Sequence, residues 1–280
     1  MKRINLSAKA VYLLPTLLFV LLLSGCAGFE EKDETLGWSQ QKLFTEATDE
    51  MRAGNYEKAI KYYEILESRY PYGKYAHQSQ LNVAYAYYRF SEPEAALAAA
   101  DRFIRLHPGH PATAYAYYLR GLTNFTRSLG FLDRFLPTDT AQRDPGAALD
   151  SYKDFAEVVR KFPNSEYAAD SAQRMLYLRN NLARYEIRVA QYYMKRGAYV
   201  AAANRAEYVV QNYQRTPSVR DALSLMIVAY GKLGLVELAN DTRRVLALNE
   251  NNGSLIDDPQ QTADKGLTEQ VWEFFELDQN

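Results

Sequence analysis

The chain is punctuated at helix-hairpin intervals, and that punctuation restricts what it can fold into. Gly54-Asn55-Tyr56-Glu57-Lys58-Ala59, Gly197-Ala198-Tyr199-Val200-Ala201-Ala202 and Gly234-Leu235-Val236-Glu237-Leu238-Ala239 are three copies of one opening. In each, a glycine that can take positive φ stops one helix and the residues after it start the next. Closings recur too, at Arg69-Tyr70-Pro71, Leu106-His107-Pro108, Lys161-Phe162-Pro163 and Arg215-Thr216-Pro217, where a proline cannot continue a helix. The spacing is near the ~34-residue period of tetratricopeptide repeats.

Between these marks the apolar residues fall at helical intervals and no strand signal appears. Leu81, Ala84, Tyr85 and Tyr88 form one stripe, and Ala96, Ala99, Phe103 and Ile104 form its antiparallel partner. Ala148, Tyr152, Phe155, Val159 and Phe162 form another, as do Ala202, Ala206, Val209 and Tyr213. Small residues (Ala59, Ala96, Ala148, Ala202, Ala239) sit early in each second helix, where two helices are expected to cross closely. The fold class is therefore all-α, a tetratricopeptide-like solenoid of helical hairpins with about five repeats. The pairs span about 40–71, 76–108, 112–163, 167–217 and 218–248, with repeats 1–3 over 40–163 and repeats 4–5 over 164–248. The third pair is too long, and 130–146, with Pro137 and Pro145, reads as an inserted loop. From Asn164 to Arg196 there is neither Gly nor Pro, which predicts one long helix with a weak spot at Asn180-Asn181.

Outside the repeats, Leu23-Ser24-Gly25-Cys26 closes an apolar run that follows Lys2, Arg3 and Lys9, and Cys26 is the single cysteine. This reads as a lipoprotein signal over residues 1–25, removed in the mature chain, with the Cys26 thiol carrying diacylglycerol and its amine an acyl chain. An ordinary unpaired cysteine behind a signal peptide is the plainer alternative. Ala27 rather than Asp follows it, as in lipoproteins sorted to the outer membrane. Polar residues 26–39 then read as a flexible tether. Without its first 25 residues the chain has 30 bases against 34 acids, and residues 249–280 hold eight of those acids. That acidic tail reads as mostly disordered, save for a short amphipathic segment from Leu267 to Leu277 that caps the last repeat or docks elsewhere. No strongly basic footprint points to nucleic acid.

Tyrosine occurs 23 times, often in runs such as Tyr62-Tyr63, Tyr115-Ala116-Tyr117-Tyr118 and Tyr192-Tyr193. Adjacent rings on one helix are expected to split, one inward and one outward. Such residues serve either as core filler or as a recognition surface. No phosphate loop, nucleophile elbow or zinc motif is present, so the chain reads as non-enzymatic, with no cofactor and no metal. His107-Pro108-Gly109-His110-Pro111 is an inter-repeat turn.

The ordered string Tyr70-Pro71-Tyr72-Gly73, Ala84-Tyr85-Ala86-Tyr87-Tyr88, Asp101-Arg102-Phe103-Ile104-Arg105-Leu106-His107-Pro108, Arg120-Gly121-Leu122-Thr123-Asn124, Arg143-Asp144-Pro145, Leu182-Ala183-Arg184-Tyr185-Glu186, Arg196-Gly197 and Arg220-Asp221-Ala222-Leu223 resembles the BamD (ComL-type) family of outer-membrane assembly lipoproteins. The resemblance implies a lipid-anchored subunit of the β-barrel assembly complex, facing the periplasm. Its implied partners are a barrel-bearing POTRA-domain subunit, other assembly lipoproteins and unfolded outer-membrane β-barrel proteins. It also implies docking through the C-terminal repeats, where Arg196, with Tyr192 and Arg188 at helical spacing before it, is the expected contact. Arg196 reads equally well as a last-turn cation on the helix dipole. Substrate is expected on the N-terminal repeats, at Tyr85, Tyr88, Arg89, Arg102 and Arg105, with the arginines meeting a terminal carboxylate or simply lying solvated. A repeat scaffold for peptidoglycan enzymes shares the anchor and solenoid but not the motif string.

Overall fold

The computed structural model describes residues 33–128 and 145–256. The signal peptide, Cys26, nearly all of the 130–146 insert and the Leu267–Leu277 segment lie outside the described residues. The chain divides into two compact units, Met1–Ser39 and Gln40–Asn280. In the first, Asp33 Oδ1 accepts hydrogen bonds from the Thr35 N–H (2.9 Å) and hydroxyl (2.6 Å), closing a turn.

The second unit carries ten helices among its described residues: α1 (Gln40–Arg52), α2 (Tyr56–Arg69), α3 (Ala76–Arg89), α4 (Pro93–Leu106), α5 (Thr113–Ser128), α6 (Gly146–Lys161), α7 (Tyr167–Lys195), α8 (Tyr199–Asn212), α9 (Ser218–Lys232) and α10 (Val236–Asn251). Each packs on the next in chain order. In addition α3 touches α5, and α7 touches both α5 and α9. The first helices of successive hairpins therefore form an inner layer. Core clusters follow this order: Leu81, Phe103 and Ala116 join α3, α4 and α5. Ala183, Ile187, Ala190, Ala206, Val209, Ala222 and Met226 join α7, α8 and α9.

Four hairpin turns share one hydrogen-bond pattern. The N–H groups of Asn55, Glu92, Ala198 and Leu235 reach back to the carbonyls of Glu50, Tyr87, Tyr193 and Tyr230, at 2.9 to 3.0 Å. This is the Schellman closure, and the residue before each donor is left-handed: Gly54 (φ 84°), Ser91 (φ 65°), Gly197 (φ 73°) and Gly234 (φ 73°). The donor residue then caps the next helix. Its carbonyl accepts the N–H of Ala59, Ala96, Ala202 or Ala239. All four alanines are buried, so one turn both reverses the chain and sets a small residue at the helix crossing. Ala148, expected in the same role, is only half-buried, because α6 starts from Pro145 after the long insert rather than from such a turn.

Joints between hairpins use a second device. Tyr70, His107, Phe162 and Tyr213 cap α2, α4, α6 and α8, each with its N–H on the carbonyl four residues back. Pro71, Pro108 and Pro163 follow directly and stop the helix. Pro217 does not: α8 ends at Asn212, and Pro217 (φ −55°) is the N-cap of α9, so it starts a helix.

Two other expectations are corrected. Tyr62 and Tyr63 are both buried, since α2 lies between α1 and α3 and is covered on two faces. The Tyr63 hydroxyl bonds Thr48 Oγ1 of α1 (2.9 Å) and accepts from Asn82 Nδ2 of α3 (2.8 Å), tying three helices. The weak spot at Asn180-Asn181 does not break α7, whose 29 residues are continuous. Asn181 is buried, with its side-chain oxygen held by Arg184. At the other end α10 runs to Asn251, slightly past the expected boundary at 248, and closes through Ser254 N–H on the Asn249 carbonyl (2.9 Å).

Ser91 alone among the four turn residues bears a Cβ in the left-handed region, which costs roughly 1 kcal/mol. Ser91→Gly should therefore stabilise the protein by about 0.5–1 kcal/mol, and Gly234→Val should destabilise it by at least about 1 kcal/mol. Urea midpoints with unchanged slopes would report both.

Candidate functional site

The inner layer is locked at α5 by the segment Arg120-Gly121-Leu122-Thr123-Asn124. Arg120 donates to Asp101 of α4 (2.6 Å) and to Asp154 of α6, and Asn124 Nδ2 donates to the other Asp154 oxygen (2.8 Å). Asp154 is buried, and burial pushes its carboxyl above the usual range while Arg120 and Asn124 pull it back. Gly121 faces the Phe155 ring so closely that a Cβ there would lie 2.6 Å from it. The Ser151 hydroxyl bonds the Gly121 carbonyl at 2.9 Å. This segment is thus the clasp between α5 and α6, and it fixes the opposite side of α5.

That opposite side faces a cleft of about 480 Å³ lined by Tyr88, Arg89 and Ser91 from the end of α3, Leu122, Phe125 and Thr126 from α5, and Arg174 from α7. Both cations are set by aromatic rings. Arg89 donates to the Tyr85 hydroxyl (2.7 Å) and lies 5.0 Å from the centre of the Tyr56 ring. Arg174 lies 5.1 Å from the Phe125 ring and donates to Asp170 at 2.5 Å. Asp170 also accepts the Tyr118 hydroxyl (2.7 Å), and Tyr118 stacks on Tyr167 with centroids 5.0 Å apart. Burial, then the bond to Asp170, pushes the Tyr118 hydroxyl up to about 12. Burial also raises Tyr115, so both phenols stay neutral. The cleft mixes the Tyr88, Leu122 and Phe125 side chains with polar Ser91 and Thr126 and has two arginines at its rim, a surface suited to an aromatic peptide bearing a carboxylate.

Of the five residues expected to contact substrate, the structure gathers three. Tyr88 and Arg89 line this cleft, and Tyr85 is held against both. Arg102 is engaged elsewhere, donating to Glu67 of α2 at 2.7 Å near Tyr87, which leaves α3 in another direction. Arg105 is exposed in the last turn of α4. The structure does not bring Arg89, Arg102 and Arg105 together as one carboxylate site: Arg102 turns to Glu67 of α2, and of the three only Arg89 lines the cleft. The second cation is Arg174, which sequence reasoning missed, together with Leu122 and Phe125. Their signal was faint: Leu122 sat in a motif whose arginine and asparagine are structural, and Arg174 lay in an undivided helix.

A second surface covers the end of α7 and the face of α8. Arg188, Tyr192 and Arg196 are all exposed, Tyr192 by 57%. Arg196 is the C-cap of α7, and its guanidinium makes no ion pair among the described residues. Beside them Val200 and Tyr208 are exposed, and Tyr193, Ala201, Asn204, Arg205 and Tyr208 line a shallow groove of about 290 Å³. Glu186 accepts from Arg205 (2.9 Å), bracing α7 against α8. No three His, Cys, Asp or Glu among the described residues are placed to hold a metal ion, and no described helix is long and apolar enough to cross a membrane.

Residues 38–246 match the family YfiO, described as outer membrane lipoprotein. The chain is 52% identical to the outer membrane protein assembly factor BamD of Neisseria meningitidis serogroup A over 233 residues, covering 82% of this chain and 87% of that one. It is 38% identical to the protein of the same name from Xylella fastidiosa strain Temecula1, covering 85% and 82% of the two chains. The BamD of Vibrio cholerae serotype O1 is 35% identical, with 83% and 96% covered.

Removing Asp154 takes the buried acceptor from both Arg120 and Asn124 and leaves Arg120 only the more exposed Asp101, so Asp154→Ala should cost about 2–3 kcal/mol. Asp101→Ala, which removes the more exposed partner of Arg120, should cost under about 1 kcal/mol. Chemical denaturation of the two variants checks the ranking.

Proposed function

The chain belongs to the YfiO family of outer membrane lipoproteins and is an outer membrane protein assembly factor, and from that premise we propose that it is the lipid-anchored, periplasm-facing scaffold subunit of the β-barrel assembly complex. Acylated Cys26 holds it to the membrane, where two or more chains anchor stably and one does not. The C-terminal hairpins dock the POTRA-domain subunit through Arg188, Tyr192 and Arg196. The α3–α5–α7 cleft receives the end of an unfolded barrel chain, with Arg89 and Arg174 taking the carboxylate and Tyr88, Leu122 and Phe125 the apolar side chain. Its action is non-catalytic: it positions and presents.

The observation that carries the docking reading is Arg196. An exposed guanidinium without an ion pair, flanked by exposed Tyr192 and Val200, combines the residue types that anchor interfaces. Charge reversal tests it. Arg196→Glu should reduce recovery of the POTRA subunit from detergent-solubilised envelopes by at least about tenfold, as expected for an interface anchor. Its melting temperature should stay unchanged, because the side chain is exposed and makes no ion pair among the described residues. Undiminished recovery removes Arg196 from the interface.

Substrate reception is tested separately. A peptide ending in an aromatic residue with a free carboxylate should bind wild type about tenfold more tightly than the same peptide amidated, the difference expected of one charge-assisted pair. Arg174→Gln should abolish that difference. An amidated peptide that binds equally well rules out a carboxylate site.

A further inference from the structure

All three histidines of the chain meet at one joint. His77 stands on the first turn of α3, and His107 and His110 flank Pro108-Gly109 in the turn from α4 to α5. Ring centroids are 4.3 Å apart for His77–His107, 5.1 Å for His77–His110 and 6.4 Å for His107–His110. Phe103 backs the cluster, 5.0 Å from His107 and 5.5 Å from His110. The rings are not placed to share a metal ion. Their common chemistry is proton uptake, since imidazole titrates between about pH 5 and 8.

The hydrogen bond at His110 fits a neutral ring. His110 Nδ1 accepts the Ala112 N–H at 3.1 Å, which a proton on that nitrogen would forbid. His107 Nε2 lies 2.8 Å from Gln80 Oε1, and Gln80 Nε2 points to Glu67 at 3.4 Å. The amide oxygen therefore faces His107, whose Nε2–H donates and whose Nδ1 carries the lone pair. The turn backbone is tied to the same residues: Thr113 Oγ1 donates to the His107 carbonyl (2.6 Å), His110 N–H to the His107 carbonyl (3.1 Å) and Thr113 N–H to the His110 carbonyl (2.9 Å).

The charges around the cluster do not offset protonation. From α3 comes His77 and from the turn His110, both like-charged with His107 once protonated. Burial, then His77 and His110, hold His107 below its ordinary value. From α2 comes Glu67, reached only through Gln80 and already paired with Arg102 of α4. From α5 come Thr113 and Ala116, which carry no charge.

We propose that this three-histidine joint is a pH-sensitive hinge between the second and third hairpins, locked when the imidazoles are neutral and loosened when they are protonated. The sign follows from the depressed His107. Its contribution to stability is complete above the unfolded value of 6.5 and is lost as pH falls from there toward the lower folded value. α3 and α5, on the two sides of this joint, also carry walls of the Tyr88–Phe125 cleft at their far ends.

Hydrogen exchange on the full lipoprotein in detergent micelles tests the hinge, at about pH 7.5 and about pH 5.5, with rates corrected for intrinsic chemistry. Amides of 109–116 should lose at least about tenfold in protection at the lower pH relative to those of α9. In the double variant His77→Gln, His107→Gln the relative loss should fall below about threefold, since glutamine at 107 can still donate to Gln80. His77→Gln alone, at an exposed position, should give an intermediate loss and serves if the double variant does not fold. Equal losses in wild type and variants, or no excess loss over α9 in wild type, would overturn the hinge.

Discussion

The whole stack depends on a turn of two functions. In four of the five hairpins the last residue of a Schellman closure is also the first residue of the next helix cap. The same residue therefore ends one helix through its N–H and begins its partner through its carbonyl, with no free residue between. That leaves the crossing point no freedom, so Ala59, Ala96, Ala202 and Ala239 are carried to the same buried place in each hairpin. A larger side chain there would separate the helices, and overpacking of this kind costs about 1–3 kcal/mol. Hairpin three has no such turn. It is held instead by a polar clasp, Arg120–Asp154–Asn124, and by the bare Cα of Gly121 against Phe155.

The elements readable in the sequence were those that this turn writes locally. Glycines at 54, 197 and 234 marked three of the four closures, while Ser91 marked the fourth with no glycine to see. The long α7 was visible as an absence of breakers. Harder to read was anything decided by a neighbouring hairpin. Tyr62-Tyr63 looked like an inside–outside pair because helical periodicity describes one buried face, whereas a helix in a solenoid has two. Pro217 looked like a stop because its helix-starting role depends on α8 having ended five residues earlier. The candidate site failed in the same way. Tyr88 and Arg89 could be named from one helix, but Arg174 is more than eighty residues away in sequence and meets them only through stacking. Arg102 shared their motif string yet turned to Glu67.

Two surfaces result, and they differ in physical character. The cleft of α3, α5 and α7 is aromatic and cation-edged, with Tyr88 and Phe125 beside Arg89 and Arg174. The face of α7 and α8 is flatter, with Arg188, Tyr192, Arg196, Val200 and Tyr208 exposed together. The names of the relatives agree with an assembly factor, and nothing in the names or in the motif string points to organising peptidoglycan enzymes.

Both surfaces are borne by one helix. Arg174 rims the cleft near the start of α7, and Arg196 caps its end, about 33 Å away at 1.5 Å per residue. The helix between them is unbroken and is packed on α6, α8 and α9. Such a rod behaves as a lever rather than a string. A tilt of about 5° at one end carries the other through about 3 Å, the scale on which a side chain enters or leaves a contact. Any tilt of α7 at one of these surfaces would therefore displace the other without a change in secondary structure.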